Sequence, residues 1–145
     1  MFDAHCHLDF SSFDDERDAL IHRAREAGVH GFIVAGVDPD GWERQRRLVQ
    51  EHADVYATYG LHPWVVSRWT DEQLGDALSR LSNTVEFAVG ETGLDQSRHC
   101  PADSLPIQEA AFRAQLALAR ERTLPVVLHI LGAHGRAIEI LESDG

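Results

Sequence analysis

Two histidines near the start of the chain, His5 and His7, have the spacing of a metal-binding pair. In an extended strand alternate side chains point to the same face, so both imidazole rings lie on one face while Ala4 and Cys6 point to the other. Neutral imidazole is the commonest protein ligand for zinc and related divalent metals. Because the chain contains nine histidines, the spacing can also arise by chance, and further ligands are needed to decide.

Residues that can complete such a site accompany four short apolar segments later in the chain. The segments are residues 32–35, 55–59, 87–90 and 126–130, and the polar residues at or just after their ends are Asp38, His62, Glu91 and His129. An apolar run without alternation is typical of a strand in a parallel sheet, and parallel sheets gather functional residues beyond their carboxyl ends. We therefore expect these side chains and the His5–His7 pair to face one space.

Three histidines and a carboxylate around one space are typical of a hydrolytic metal site. A divalent ion lowers the pKa of its bound water to about 7, and two ions about 4 Å apart stabilise the attacking and leaving oxygens of a phosphodiester. We predict that Glu91 bridges two ions, because a carboxylate offers two oxygens whereas a neutral imidazole offers one lone pair. A lone histidine in an apolar run is usually a core residue, but the place of His129 at a strand end favours the role of ligand.

Other candidates lie close to these motifs. His62, which precedes Pro63, has three candidate roles, as metal ligand, proton donor or phosphate contact, and we favour a role on the substrate side. Asp95 is a candidate to orient the neighbouring loop backbone. Trp64 and Trp69 either form an apolar wall beside the site or simply pack against the protein.

The remaining histidines and the first cysteine fit no such pattern. His134 is expected on the surface, one turn into the last helix, and Cys6 is expected to be a packed thiol because free cysteine is among the most buried residue types. The histidines expected to be solvated are His22, His30, His52 and His99.

The elements that must position these residues alternate between strand and helix. After the opening strand, helices are expected at residues 11–27, 40–52, 70–81 and 104–122, and a last helix contains residues 137–141. Thr70 and Gln73 form a capping-box pattern. Residues 91–95 are expected to leave the end of the fourth strand. Five strand–helix units predict one α/β domain over residues 1–145, with a parallel sheet and right-handed connections.

Composition limits the classes of function. The formal net charge of −11 excludes a protein that coats DNA or RNA with its whole surface, since phosphate neutralisation needs a basic face, so any phosphate is bound locally. Two cysteines support no disulfide framework and fit a reducing cytoplasm. Because no apolar run approaches about 20 residues, no membrane span is predicted, and a cytoplasmic location is expected.

The motifs together resemble the TatD family of metal-dependent deoxyribonucleases, in the order and spacing of that family. They are residues 2–9 (FDAHCHLD), 60–63 (GLHP), 89–95 (VGETGLD), the helix 108–119 and residues 125–129 (PVVLH). The resemblance implies a TIM (β/α)8 barrel of the amidohydrolase superfamily whose two-metal centre hydrolyses DNA phosphodiesters. It implies that His5 and His7 hold one ion, Glu91 bridges, and His129 holds the second. The two divalent ions can be Zn, Mn, Mg, Fe or Co.

Two features depart from the family pattern. Leu131 stands where the family usually has an arginine, two residues after the histidine of the fifth strand. The chain also has five βα units, against the eight units and about 250 residues of a full barrel. The resemblance implies that the missing part carries a further metal-binding histidine and an aspartate. We therefore expect the N-terminal portion of a TatD-like hydrolase, with weak metal binding and little turnover on its own.

A barrel with five strands has two open edges, which are templates for pairing with other strands. The isolated chain is therefore expected to be marginally stable, or to associate with itself or with a complementing C-terminal fragment. Two other functions stay open at this point. One is a related metallohydrolase acting on a small phosphoester, ester or amide, which the acidic surface favours. The other is a non-catalytic βα module that folds as an open five-stranded sheet.

Overall fold

A computed structural model describes residues 1–144 as alternating β-strands and α-helices. The strands are β1 (Asp3–Cys6), β2 (Phe32–Val34), β3 (Val55–Ala57), β4 (Val89–Asp95) and β5 (Val126–Leu131). The helices are α1 (Arg17–Glu26), α2 (Trp42–Glu51), α3 (Pro63–Val66), α4 (Asp71–Thr84), α5 (Leu105–Arg122) and α6 (His134–Asp144). No helix within these residues is long and apolar enough to cross a membrane.

All strand pairs are parallel, as predicted. β1, β2 and β3 pair in that order, β4 pairs with β5, and a single parallel bridge between Tyr59 and Val89 joins the two groups. The carboxyl ends of the strands therefore share one edge, and the chain crosses back through a helix after each strand. Within residues 1–144, β1 and β5 each pair with one neighbouring strand only.

Helices on one face of the strands bury the apolar side chains. Phe112, Leu116 and Ile140 pack with Leu94 between α5, α6 and β4. A larger cluster joins α4 and α5 to β3 and β4, and a third cluster covers β1 and β2 with α1 and α2. In contrast, Leu128 and Leu131 on β5 are 40% and 45% exposed, so the last strand presents apolar side chains to solvent.

The first helix starts later than predicted, and one short helix is additional. Residues 11–13 form a separate 3-10 turn, and α1 begins only at Arg17, whose guanidinium donates to the Leu8 and Phe10 carbonyls and the Asp14 carboxylate. The short helix α3 was not predicted, because a four-residue helix carries too little periodicity to be recognised. The capping box of Thr70 and Gln73 at the start of α4 is confirmed.

The prediction that residues 91–95 leave the fourth strand is wrong. β4 continues through Asp95, with Thr92 opposite Leu128 and Gly93 opposite His129 on β5, and all seven of its residues are buried. Glycines and polar residues in this segment are typical of loops in a sequence. Here the pairing with β5 and the side chain of Gln108 provide partners for the backbone of the segment, so it remains a strand.

Close backbone approach between β4 and its neighbours requires glycine at two positions. A Cβ on Gly60 would lie 2.3 Å from the Gly90 carbonyl carbon. A Cβ on Gly90, which has a φ of +142°, would lie 2.5 Å from the Val127 carbonyl oxygen. Glycine has neither the steric obstacle nor the penalty for positive φ. The strands can therefore bring Glu91 directly beside β3 and β5.

Candidate metal centre

Glu91 lies at the middle of the predicted site. Its side chain is 7% exposed, and its backbone N–H donates to the Gly36 carbonyl at 2.7 Å. The two carboxylate oxygens face different histidines. Oε2 faces His5 on β1 and His7 just after it, and Oε1 faces two histidines, one before α3 (His62) and one on β5 (His129). The Glu91 carboxylate therefore lies between two groups of histidines.

His5 and His7 share the Oε2 side of the carboxylate. Their Nε2 atoms lie 3.2 Å and 3.5 Å from Glu91 Oε2, and the two rings meet edge to face. The Nδ1 of His7 lies 3.2 Å from the Ala35 carbonyl, an acceptor, so Nδ1 carries the proton and Nε2 keeps its lone pair. Phe10 stacks on the His7 ring at 4.8 Å and fixes its plane. This pair has the tautomer and orientation of a ligand set.

His129 lies on the Oε1 side, between two carboxylates. Its Nδ1 is 3.3 Å from Glu91 Oε1, and its Nε2 is 2.8 Å from Asp95 Oδ2. The hydrogen bond with Glu91 and the one with Asp95 together raise the pKa of His129 above its usual value, against the effect of burial. To act as a ligand, His129 must lose the proton on Nδ1. It keeps the proton on Nε2, which it donates to Asp95.

Asp95 is held as a carboxylate by several donors. Burial alone would raise its pKa, but hydrogen bonds from Ser97, His129 and Trp64 outweigh burial and lower the pKa to about 2. The indole N–H of Trp64 donates to Oδ2 at 2.6 Å, and the Ser97 N–H donates to Oδ1 at 2.6 Å. The predicted supporting role of Asp95 therefore has a partner that the sequence did not indicate, the imidazole of His129.

His62 differs from the other three histidines. Its Nδ1 accepts a hydrogen bond from the Trp64 backbone N–H at 3.1 Å, so the proton of the neutral ring sits on Nε2, which points toward Glu91 Oε1 at 3.8 Å. Burial first, and the neighbouring His129 second, lower the pKa of His62 to about 4. A buried, neutral Nε2–H is a hydrogen-bond donor and not a lone-pair ligand. The geometry supports the substrate-side role favoured for His62.

The donor set fits divalent ions. Ligand atoms of His5, His7 and Glu91 lie within 4.8 Å of one another, and the same is true of His62, Glu91 and His129. Burial raises the pKa of Glu91, but the hydrogen bond with His129 and the surrounding histidines more than offset it, so the carboxyl is ionised. A buried carboxylate between imidazole nitrogens offers an oxygen donor, which suits Mg and Mn, and nitrogen donors, which suit Zn and Fe. The four predicted ligands therefore lie close together.

Two buried glutamines on α5 position the site, and the sequence analysis missed them. Gln108 accepts from the Asp95 N–H at 2.8 Å and donates to the Asp95 carbonyl at 3.1 Å. Gln115 accepts from the Leu61 N–H at 2.8 Å and donates to the Leu61 carbonyl at 3.2 Å. Their spacing of seven residues on the inward face of an apolar helix was the signal that could have identified them. They fix the backbone beside His62 and at the end of β4.

Replacing Gln108 with leucine is expected to lower the free energy of unfolding by about 1–3 kcal/mol, because the Asp95 N–H and carbonyl lose their partners in a buried place. The measurement is urea denaturation of the purified chain. Gln50→Leu, the same change at an exposed position on α2, is the control and is expected to change stability by less than about 0.5 kcal/mol. Equal stability of the two variants would contradict the structural role of Gln108.

Other candidates from the sequence lie outside the metal centre. Asp38 accepts from the Asp40 and Gly41 backbone N–H groups and shapes the turn before α2. Trp69 packs against the core, whereas Trp64 lies beside the site. Of the two tryptophans, only Trp64 therefore lies where an apolar surface beside the site was considered.

The outcomes for the remaining histidines and Cys6 are mixed. His22, His30, His99 and His134 are exposed as predicted, although His134 begins α6 and does not lie one turn inside it. The prediction for His52 is wrong, because it is half-buried between Arg25 and Asp18. Cys6 is half-buried, and burial, with the nearby Asp3, raises the pKa of its thiol to about 12.

Comparison with known proteins identifies the family of the chain. A family model described as TatD related DNase matches residues 2–145. The chain belongs to the TatD-related DNase family. Among TatD proteins, a 3'-5' ssDNA/RNA exonuclease TatD of Erwinia tasmaniensis is 42% identical over 145 residues, and that of Pantoea ananatis is 39% identical over 144 residues. Both matches cover 98% of this chain and 54% of the relative. The chain therefore spans about half the length of these TatD relatives.

Solved TatD structures share the fold. The TatD homologue YJJV of Escherichia coli superposes with a TM-score of 0.82 at 34% identity, over 99% of this chain and 56% of that one. A TatD family hydrolase of Entamoeba histolytica has a TM-score of 0.77 at 16% identity, over 99% and 54%, and shows the fold alone. The predicted fold class is confirmed: five βα units of a TIM-barrel-like TatD fold, about half of the matched chains.

Proposed function

We propose that this chain is the metal-binding portion of a TatD-like hydrolase that cleaves phosphodiester bonds, with DNA as substrate. One observation carries the proposal: a buried carboxylate, Glu91, presents Oε2 to His5 and His7 and Oε1 to His129. The names of relatives that are 3'-5' ssDNA/RNA exonucleases support a nucleic acid substrate. We further propose that residues 1–145 act as one partial barrel domain in the cytoplasm, which two free cysteines support.

Each side chain has a defined part in the proposed mechanism. His5, His7 and Glu91 would hold one ion, and Glu91 and His129 the other. When bound, the two ions supply hydroxide at neutral pH and stabilise the attacking and leaving oxygens. Asp95 keeps His129 in the tautomer whose Nδ1 faces Glu91.

His62 serves the substrate in this proposal. Its Nε2–H lies beside Glu91 Oε1 and can donate to a phosphate oxygen at the centre. Because its pKa is about 4, it stays neutral at pH 7, so it donates a hydrogen bond without adding a charge. With a formal net charge of −11, the chain offers phosphate no general attraction, so DNA is bound locally at the metal site.

Nuclease assays on the purified chain test the proposal. With Mn²⁺, the chain is expected to release nucleotides slowly from a short single-stranded oligonucleotide, and Glu91→Gln is expected to release none. Turnover of p-nitrophenyl phosphate without turnover of the oligonucleotide would favour the small-substrate hydrolase instead. A folded chain that binds no divalent ion would favour the non-catalytic βα module.

Within residues 1–144, β1 and β5 are the strands at the ends of the two paired groups. We propose that β1 and β5 pair with further strands, supplied by a complementing C-terminal portion or, in the isolated chain, by a second copy. The chain spans 54% of its relatives, and edge strand β5 carries the exposed Leu128 and Leu131. Unpaired edges with apolar side chains favour association.

We expect the purified chain to elute in size-exclusion chromatography at a mass above 16.2 kDa, increasing with concentration. Leu128→Lys is expected to shift it toward the monomer, because a lysine on an edge strand opposes pairing. Ile138→Lys is the matched control, since Ile138 is an exposed apolar residue on helix α6 and not on an edge strand. A monomer at every concentration would contradict pairing through the edge.

A further inference from the structure

Trp64 is an exposed aromatic side chain that the proposed mechanism does not use. It lies on α3, directly after His62 and Pro63, and is 41% exposed. Its indole N–H is already donated to Asp95 Oδ2 at 2.6 Å. The polar group of the indole is therefore already paired, and this hydrogen bond holds the ring in one orientation. Rigid aromatic rings with exposed carbon surface are typical of sites that bind other rings.

The indole ring lies beside the metal centre. Its centroid is 5.0 Å from the His62 ring and 6.0 Å from the His129 ring, both in edge-to-face arrangements. A phosphodiester that accepts a hydrogen bond from His62 would thus have the indole next to it. The base of a nucleotide joined to that phosphate is within reach of the ring.

A second exposed ring and a cation accompany Trp64. The His99 ring lies 5.1 Å from the indole, tilted by 45°. Arg68 donates to the Trp64 carbonyl at 2.7 Å and to the His99 carbonyl at 2.8 Å, so it ties together the two segments that carry the rings. Arg68 is exposed and places a positive charge beside the rings in an otherwise acidic chain.

We propose that Trp64, with His99 beside it, is a stacking platform for the nucleobase adjacent to the phosphate at the metal centre. This inference rests on the proposed nuclease function. A base in a duplex is already stacked and paired, and it must be unstacked before an aromatic side chain can receive it. Bases of a single strand stack on aromatic rings without that cost and with little sequence preference, because every base has a π-face.

Binding measurements test the platform without depending on turnover. The probes are a four-nucleotide phosphorothioate oligothymidylate, which resists hydrolysis, and the same strand with abasic sites, both labelled with fluorescein. Anisotropy titrations are made with the full 145-residue chain, with Mn²⁺ and without it. The variants are Trp64→Ala, Trp64→Phe and, as a control, Phe87→Ala. Phe87 is 44% exposed, precedes the amino end of β4 and stacks on Tyr56.

We expect Trp64→Ala to weaken binding of the oligothymidylate about 5- to 150-fold, the effect of losing one base stack, and to leave binding of the abasic strand unchanged. Trp64→Phe keeps a ring and is expected to retain most of the affinity, and Phe87→Ala all of it. Because Phe lacks the indole N–H, equal losses in the Phe and Ala variants would assign Trp64 to positioning Asp95 and overturn the platform.

The remaining outcomes separate this inference from the function on which it rests. Equal affinity of wild type and Trp64→Ala for oligothymidylate, with both requiring Mn²⁺, would overturn the platform and leave the nuclease proposal intact. Equal loss on both probes would also overturn the platform, since no base would be involved. If wild-type protein binds neither probe in the presence of Mn²⁺, both proposals are overturned.

Discussion

Replacing Glu91 with glutamine is expected to abolish binding of divalent ions on both sides of the carboxylate. The amide keeps the shape of the side chain, but it removes the negative charge and turns one of the two bridging oxygens into an N–H donor. Whichever way the amide is oriented, its N–H donor then faces either His5 and His7 or His129. Because even partners outside the ligand set change metal affinity by about 10- to 100-fold, loss of the shared ligand should exceed about 100-fold for both ions.

Elemental analysis and Mn²⁺ titration calorimetry measure this effect. We expect one or two equivalents in the wild-type chain and none in Glu91→Gln. Glu86→Gln is the matched control, since Glu86 is an exposed carboxylate before the amino end of β4. Mn²⁺ should also raise the melting temperature of wild type and of the control, but not of Glu91→Gln, because a ligand stabilises only the state that binds it. Retained binding in a folded Glu91→Gln protein would contradict the bridging role.

Much of this centre could be predicted from the sequence, because strand parity and parallel topology are local patterns. His5 and His7 share a face by alternation, and the carboxyl ends of successive parallel strands meet at one edge. That logic placed Glu91 and His129 beside the pair, as the structure shows. Types of residue and their distance from a strand end were sufficient for this part.

The rest depends on contacts between distant segments. The backbone N–H of Trp64 donates to His62 Nδ1, so the proton of His62 is on Nε2. No pattern in the sequence indicates which of the two ring nitrogens carries this proton. Residues 91–95 look like a loop because the backbone of this segment acquires partners only when β5 and α5 are in place. Gln108 lies inside an apolar helix face, and its role is visible only once Asp95 lies opposite.

Asp95 contacts the His129 side of the metal centre, so its effect on ion binding at the two sides can be measured separately. It touches His129 and Trp64 but neither histidine of the first pair. Its carboxylate accepts from donors on both oxygens, with a pKa of about 2, so it is ionised at any pH near neutrality. A negative partner on Nε2–H increases the basicity of the opposite nitrogen, which for His129 is the Nδ1 that faces Glu91.

Asp95→Asn is therefore expected to weaken the ion held by Glu91 and His129 about 10- to 100-fold while leaving the His5–His7 side unchanged. Asparagine has one accepting oxygen, so its NH₂ must oppose either the Ser97 N–H or the donors at Oδ2. The measurement is a Mn²⁺ titration analysed for two sites, with Asp103→Asn, an exposed loop carboxylate, as the control. His5→Ala should show the reverse pattern: it loses the ion on the His5–His7 side and keeps the ion held by Glu91 and His129.

An Asp95→Asn protein that binds both ions like wild type would show that Asp95 is only a structural partner of Trp64. If instead only the second ion is weakened, the two sides of Glu91 are separate sites joined by one carboxylate, and each can be disabled without the other.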